Sequence, residues 1–265
     1  MKIYFPQWQG SGTGKEIMSG AETLMEFIND PNMVSIPLSK KALHKKKQIN
    51  GYDALVEQLS TFKQILLQKK PKTIETIGGD CGLEIIPVSY LASQYNNLGV
   101  IWFDAHSDIH LPEESPSHNF HGMPLRTLLD EGDTVLKNLL FTAISPSQIH
   151  YIGLRDMDSK EQEKIVADHI YAPLTLNMDH LVATLKKKKI THLYLHFDLD
   201  CLDPEAFDKT YYRISNGLSI KEAEDCLIEL KTKFKIVGSS LLESTCQVKK
   251  DLEPIEHLIN LIMYD

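Results

Sequence analysis

His192-Leu-Tyr-Leu-His-Phe-Asp-Leu-Asp-Cys-Leu-Asp-Pro204 is an apolar run that stops abruptly in carboxylates. Its first seven residues have the length and composition of a buried strand. In an extended segment Asp198 and Asp200 share one face, while Phe197 and Leu199 face the other way. Asp203-Pro204 reads as a turn. A second run has the same form. Val100–Asp104 is apolar and leads into Asp104-Ala-His-Ser-Asp108, where Asp104, His106 and Asp108 alternate with small residues.

Working outward, further strands are predicted at Lys2–Phe5, Val34–Ile36, Thr73–Ile77, Ile149–Leu154, His169–Ala172 and Ile236–Leu242. Helix-period segments lie between most of them. Asp53–Gln68 carries Leu55, Leu59, Phe62, Ile65 and Leu66 on one stripe, and Asn177–Lys188 and Ile220–Phe234 follow, the last with Ser219 as N-cap. Strand–helix alternation repeated this often implies a parallel sheet with helices on both faces. No repeat, low-complexity tract or linker interrupts it, so one α/β domain is expected over residues 1–265. The least regular stretch, His106–Pro124, is long for a loop between strand and helix, and such loops are more often functional than idle.

The 265 residues are 42% hydrophobic and 24% charged, with a formal net charge of -8. An acidic chain of this kind argues against nucleic acid or an anionic membrane as its main partner. Cys81, Cys201, Cys226 and Cys246 are too scattered for a secreted disulfide scaffold. No apolar run reaches the roughly 18 residues that span a bilayer, and MKIYFPQWQGSG does not read as a signal peptide. A cytoplasmic protein with reduced thiols is expected. Gly10-Ser-Gly-Thr-Gly-Lys15 fails the phosphate-loop pattern, because Gln9 stands at its first glycine and Glu16 follows the lysine. It reads as a glycine-rich turn. The runs Lys45–Lys47 and Lys186–Lys189 lack interleaved aromatics and read as solvated faces.

In open α/β sheets, ligands bind at the C-terminal edge of the strands. Three chemistry-bearing segments are predicted there: Gly78-Gly-Asp-Cys-Gly-Leu-Glu84, Asp104–Asp108 and Asp198–Pro204. A lone Asp-x-Asp is usually a turn or a cap. Two clusters that each end an apolar strand resist that explanation, because converging carboxylates are costly unless cations compensate them. Carboxylates with an imidazole suit Mg²⁺, Mn²⁺ or Zn²⁺, and there are ligands enough for two ions.

Asp104-Ala-His-Ser-Asp108 and Asp198-Leu-Asp-Cys-Leu-Asp-Pro204 resemble the metal motifs of the ureohydrolases, the arginase–agmatinase–formiminoglutamase superfamily. Gly78-Gly-Asp-Cys81 resembles their first motif, and the order and spacing match along nearly the whole chain. The resemblance implies a three-layer α/β/α fold with a parallel sheet of about eight strands, a binuclear Mn²⁺ centre, and hydrolysis of a guanidino or amidine C–N bond by metal-bound hydroxide. It implies that Asp104 and Asp198 bridge the ions, that His106 and Asp200 hold one and that Asp108 holds the other. It places His121, in Ser117-His-Asn-Phe-His-Gly-Met-Pro124, as proton shuttle. Ser117 and Asn119 fall on the α-carboxylate of an amino-acid substrate and Asp158 on its α-amino group. Asp158 also reads as a helix cap. Glu243 falls on the guanidinium. A homo-oligomer, trimer or hexamer, is implied in the same way.

The sequence departs from this pattern in places. Cys81 stands where the family has a histidine ligand to the second ion. A thiolate favours Zn²⁺ or Fe²⁺ over hard Mn²⁺, and an unligated buried thiol would leave that ion weakly held. His110 stands where arginases carry a substrate-contacting Asn, and Ser244-Thr-Cys246 replaces the usual Asn/Asp-Pro continuation. The competing reading is a protein of the same fold that holds metal or ligand with little or no catalysis, because its first motif carries Cys81.

Overall fold

The computed structural model describes residues 1–12 and 14–263. Thr13, within the predicted glycine-rich turn, and residues 264–265, at the end of the expected domain, lie outside them. Seven strands are described: β1 (Lys2–Phe5), β2 (Val34–Ser35), β3 (Ile74–Gly78), β4 (Leu98–Phe103), β5 (Ile149–Ile152), β6 (His192–Asp198) and β7 (Lys235–Leu242). They form one sheet in the order β2-β1-β3-β7-β6-β4-β5, with every pairing parallel. Helices cover both faces, as the alternating pattern requires.

All six residues of β4 are buried, and so are the last six of β6. Strands covered on both faces read as continuous apolar runs, which is why these two were so plain in the sequence. Alternate side chains serve different cores. Val100, Trp102 and Tyr194 join the core under the helices Tyr52–Lys69 and Ile85–Gln94, through Leu55, Phe62, Ile86 and Leu91. Ile101, Phe103, Leu195 and Phe197 join the opposite core, with Leu185 from Met178–Lys187, Leu227 from Ile220–Lys233 and Ile259 from Glu256–Met263. Ser219 caps its helix by accepting from the Glu222 N–H.

The sheet has seven strands where about eight were expected. His169–Ala172 meets the edge strand β5 through a single bridge between Tyr171 and His150. His169 takes a left-handed φ of 52°, and Pro173 follows with no N–H to give to a ladder. The segment therefore touches the sheet without extending it.

Gly79, just past β3, is held between two backbones. The Asp80 N–H donates to the Gln7 carbonyl at 2.7 Å, and the Glu243 N–H donates to the Gly79 carbonyl at 2.8 Å. A Cβ on Gly79 would lie 1.8 Å from the Gln7 oxygen. Gly79→Ala should therefore push these segments apart and cost about 1–3 kcal/mol. Denaturant unfolding measures this. An unchanged midpoint would mean that the contact is not tight.

Candidate metal centre

The four central strands β3, β7, β6 and β4 end side by side. Three of them stop in the same way. Asp80 Oδ1 accepts from the Gly82 N–H at 2.9 Å, Asp104 Oδ1 from the His106 N–H at 2.7 Å, and Asp198 Oδ1 from the Asp200 N–H at 2.8 Å. An aspartate that binds the backbone two residues on replaces the strand ladder with a turn. The segments after β4 and β6 are thus curled rather than extended, and Asp108 takes a left-handed φ of 51°.

The curl gathers the ligand atoms. Asp104, His106 and Asp200 form one group whose ligand atoms lie within 4.8 Å of one another. His106 Nδ1 is 3.0 Å from Asp200 Oδ2 and 3.5 Å from Asp104 Oδ1, and its Nε2 is 3.6 Å from Asp156. Asp104 also belongs to a second group, with Cys81, Asp108 and His196. A third group joins Cys81, Asp198 and Glu243. The Cys81 thiol donates to Asp198 Oδ2 at 3.3 Å. Asp80 stays outside the groups, because its carboxylate is taken up by Gln7, Gly10 and Gly82.

This arrangement is short of positive charge. Burial, then the surrounding carboxylates, pushes Asp108 and Asp198 well above the usual carboxylate range and moves Asp200 up to about 6. Asp104 goes the other way. Burial opposes its charge, but hydrogen bonds from His106 and His196 outweigh that and hold it low. Burial, reinforced by Asp108 and Asp198, pushes the Cys81 thiol well up, so it is neutral here. Asp108 Oδ2 and Glu243 Oε2 are buried with no hydrogen-bond partner. Orphaned oxygens among nitrogen, oxygen and sulfur donors fit divalent cations.

A cavity of about 310 Å³ opens over this edge, lined among others by His106, Asp108, His121, Asp158, Tyr212 and Glu243. Glu243, just past β7, has a left-handed φ of 59°, and its Oε1 lies 3.4 Å from His121 Nδ1. Burial works against a charged His121, but the Glu243 hydrogen bond and charge prevail and raise its pKa. Ser117 also lines the cavity. Asn119 braces the loop instead, its amide accepting from Asn50 and donating to the Ser11 carbonyl. Asp158 caps the helix Ser159–Ala167 through Oδ1, and its Oδ2 is 2.8 Å from His110 Nε2.

A model of the Arginase family matches residues 24–262. The chain belongs to the arginase family. An arginase of Staphylococcus aureus is 31% identical over 253 residues, covering 89% of this chain and 82% of that protein. An arginase of Bacillus subtilis is 30% identical over 220 residues, covering 76% of this chain and 73% of that protein. The crystal structure of Entamoeba histolytica arginase shares the fold, with a TM-score of 0.85 at 23% identity over 99% of this chain and 97% of that one. The arginase family is metal-dependent and acts on small guanidino compounds, so the metal-binding character of the buried cluster agrees with the family.

Several residues of this arginase-family site escaped sequence reasoning. His196 sat inside an apolar strand and was given no role. Asp156 carried no pattern of its own. Tyr212, which places its ring 5.3 Å from that of His121 and 5.9 Å from that of His106, lies in an irregular stretch. Arg155 donates to the carbonyls of Gly153, Asp200 and Ile214, pinning the turn after β6. Among the described residues its hydrogen-bond partners are carbonyls, which leave no charge pattern to find. Among the described residues, no helix is long and apolar enough to cross a membrane.

The raised carboxyls set a pH dependence. Asp200 is moved to about 6 and Asp80 to about 7, the latter by burial and then the Glu243 charge. Each holds its proton more tightly folded than unfolded. Their contribution is complete below about pH 4 and is lost as the pH rises through the folded values. His150, pushed down to about 3 by burial and then Lys188, works in the opposite sense up to about pH 6.5. The carboxyls outnumber it. Chelator-treated protein should lose roughly 5–10 °C of melting temperature between about pH 5 and 8, and added Mn²⁺ should restore it. A melting temperature that climbs over that window in chelator would contradict the account.

Proposed function

We propose that this chain is a metal-dependent hydrolase that cleaves the C–N bond of a linear guanidino or amidine compound, arginine or a relative of it. The observation that carries the reading is the pair of unpartnered buried oxygens, Asp108 Oδ2 and Glu243 Oε2, on two residues that line the cavity. Both belong to residues of the cation groups, and Glu243 Oε2, at the margin of the cluster, is also an acceptor for a planar cationic donor fork. The Entamoeba histolytica arginase was solved with L-ornithine, which supports a chain-bearing amine as the leaving group here.

Of the residues that would hold two cations, Asp104 and Asp198 would serve both, His106 and Asp200 would complete one position, and Asp108 would stand at the other, beside Cys81. Mn²⁺ is the expected ion, and Zn²⁺ or Fe²⁺ would be favoured were Cys81 to ligate as a thiolate. When bound, such a pair polarises water and neutralises charge that develops on the amidine. Glu243 orients the guanidinium through Oε2, while its Oε1 holds His121 by Nδ1. His121, kept basic by that contact, passes a proton to the leaving amine. Ser117 and Asp158 receive the far end of the substrate, and Asn119 supports Ser117 from behind. His110, 2.8 Å from Asp158 and 3.0 Å from Glu161, narrows that end and selects among substrates. The protein acts in the cytoplasm, as a homo-oligomer, with its thiols reduced.

Urea and ammonia release should be screened on Mn²⁺-loaded protein over arginine, agmatine, guanidinobutyrate and formiminoglutamate. Turnover of at least one is expected. Retained metal with no turnover on any of them would favour a binding protein of the same fold. Asp198→Ala should lose both ions, because a bridge and its charge go together. Full metal content by elemental analysis would remove the bridging role. His121→Ala should keep its metal but slow turnover by about 10²–10⁴-fold, and an unchanged rate would take His121 out of the reaction.

A further inference from the structure

The geometry points to His196 as a metal ligand through Nε2, supplying from β6 the imidazole that the family pattern takes from the position of Cys81, with Glu84 as its positioning residue. This rests on the two-cation reading of the centre.

His196 pairs across the sheet with Trp102, and their rings stack at 3.5 Å and 11°. The Trp102 indole N–H donates to Asp104 Oδ2 at 3.0 Å. On the far side, His196 Nδ1 is 3.0 Å from Glu84 Oε1. Glu84 is fixed in turn by the hydroxyls of Tyr194 and Ser240. Both members of the pair are fully buried. The ring is thus locked by its stack and by one nitrogen.

A structural role explains Nδ1, which Glu84 holds, but Nε2 makes only long contacts, with Asp104 Oδ2 at 3.5 Å and Cys81 Sγ at 3.8 Å, the first longer than an ordinary N–H···O hydrogen bond. Two donors about 2.0–2.3 Å from one ion stand roughly 3–4 Å apart, so these spacings suit atoms gathered around a cation. The same four residues, Cys81, Asp104, Asp108 and His196, group their ligand atoms within 4.8 Å. His106 shows the matching plan in mirror order, with Nδ1 toward the cluster and Nε2 backed by Asp156. A metal-binding imidazole is normally held in this way by a carboxylate on its other nitrogen.

His196→Asn tests the assignment, because its amide can still donate to Glu84 from near the Nδ1 position while Nε2 is gone. Against wild type that retains two Mn²⁺ after dialysis, His196→Asn should retain one, Glu84→Gln should bind the second ion about 10–100-fold more weakly, and Cys81→Ser should retain both. The reverse pattern, with His196→Asn keeping two and Cys81→Ser keeping one, would overturn the inference and leave the two-cation reading standing. Wild type that retains no Mn²⁺ would overturn both. Wild-type protein gives a second measurement that needs no variant. In ¹⁵N-histidine-labelled protein titrated with Zn²⁺, one imidazole should coordinate through Nδ1 and one through Nε2. Coordination through Nδ1 alone would also overturn it.

Discussion

Asp104, Asp108, Asp198, Asp200 and Glu243 are all buried at the same end of four adjacent strands. The ionic partners that Asp104, Asp200 and Glu243 have are imidazoles. Burying like charges this densely is unfavourable without compensation, so the rest of the architecture is organised to tolerate it. Two cores clamp the strands from either face. Asx turns hold three of the strand ends against spreading, and Arg155 fixes the backbone after β6. What remains unpaid in charge is the centre's affinity for cations.

The fold was legible because a parallel sheet buried on both faces writes itself as apolar runs. β4 and β6 are the clearest cases, and the carboxylates after them stood out against that background. The weak edge was less legible. His169–Ala172 has strand composition, but its one bridge and the following Pro173 leave it outside the ladder. Periodicity identified which residues after β4 and β6 converge, while the means is a pair of Asx turns that a period-two argument does not foresee.

Within the site, residues in short motifs could be found and residues that act through them could not. Asp104, His106, Asp108, Asp198 and Asp200 announce themselves by spacing. His196 does not, because one histidine in an apolar strand reads as core until its two nitrogens are seen to face different partners. Glu84, Asp156 and Tyr212 act on ligands and cavity from other segments, and only the fold brings them near. Asn119 illustrates the converse. Its motif position points to substrate, yet its amide is committed to Asn50 and Ser11.

The family resemblance and the chain's own departures from it meet at one place, the ion position beside Cys81. A thiol there and an imidazole on β6, with β7 between them in the sheet, would change which atoms face a cation without changing the edge that presents them. Anomalous diffraction from a Mn²⁺-soaked crystal tests the central claim most directly. The account predicts two peaks at the C-terminal edge, both in contact with Asp104, one beside His106 and Asp200 and the other beside Asp108. A crystal that takes up Mn²⁺ elsewhere, or shows no peak among these carboxylates at neutral pH, would contradict it.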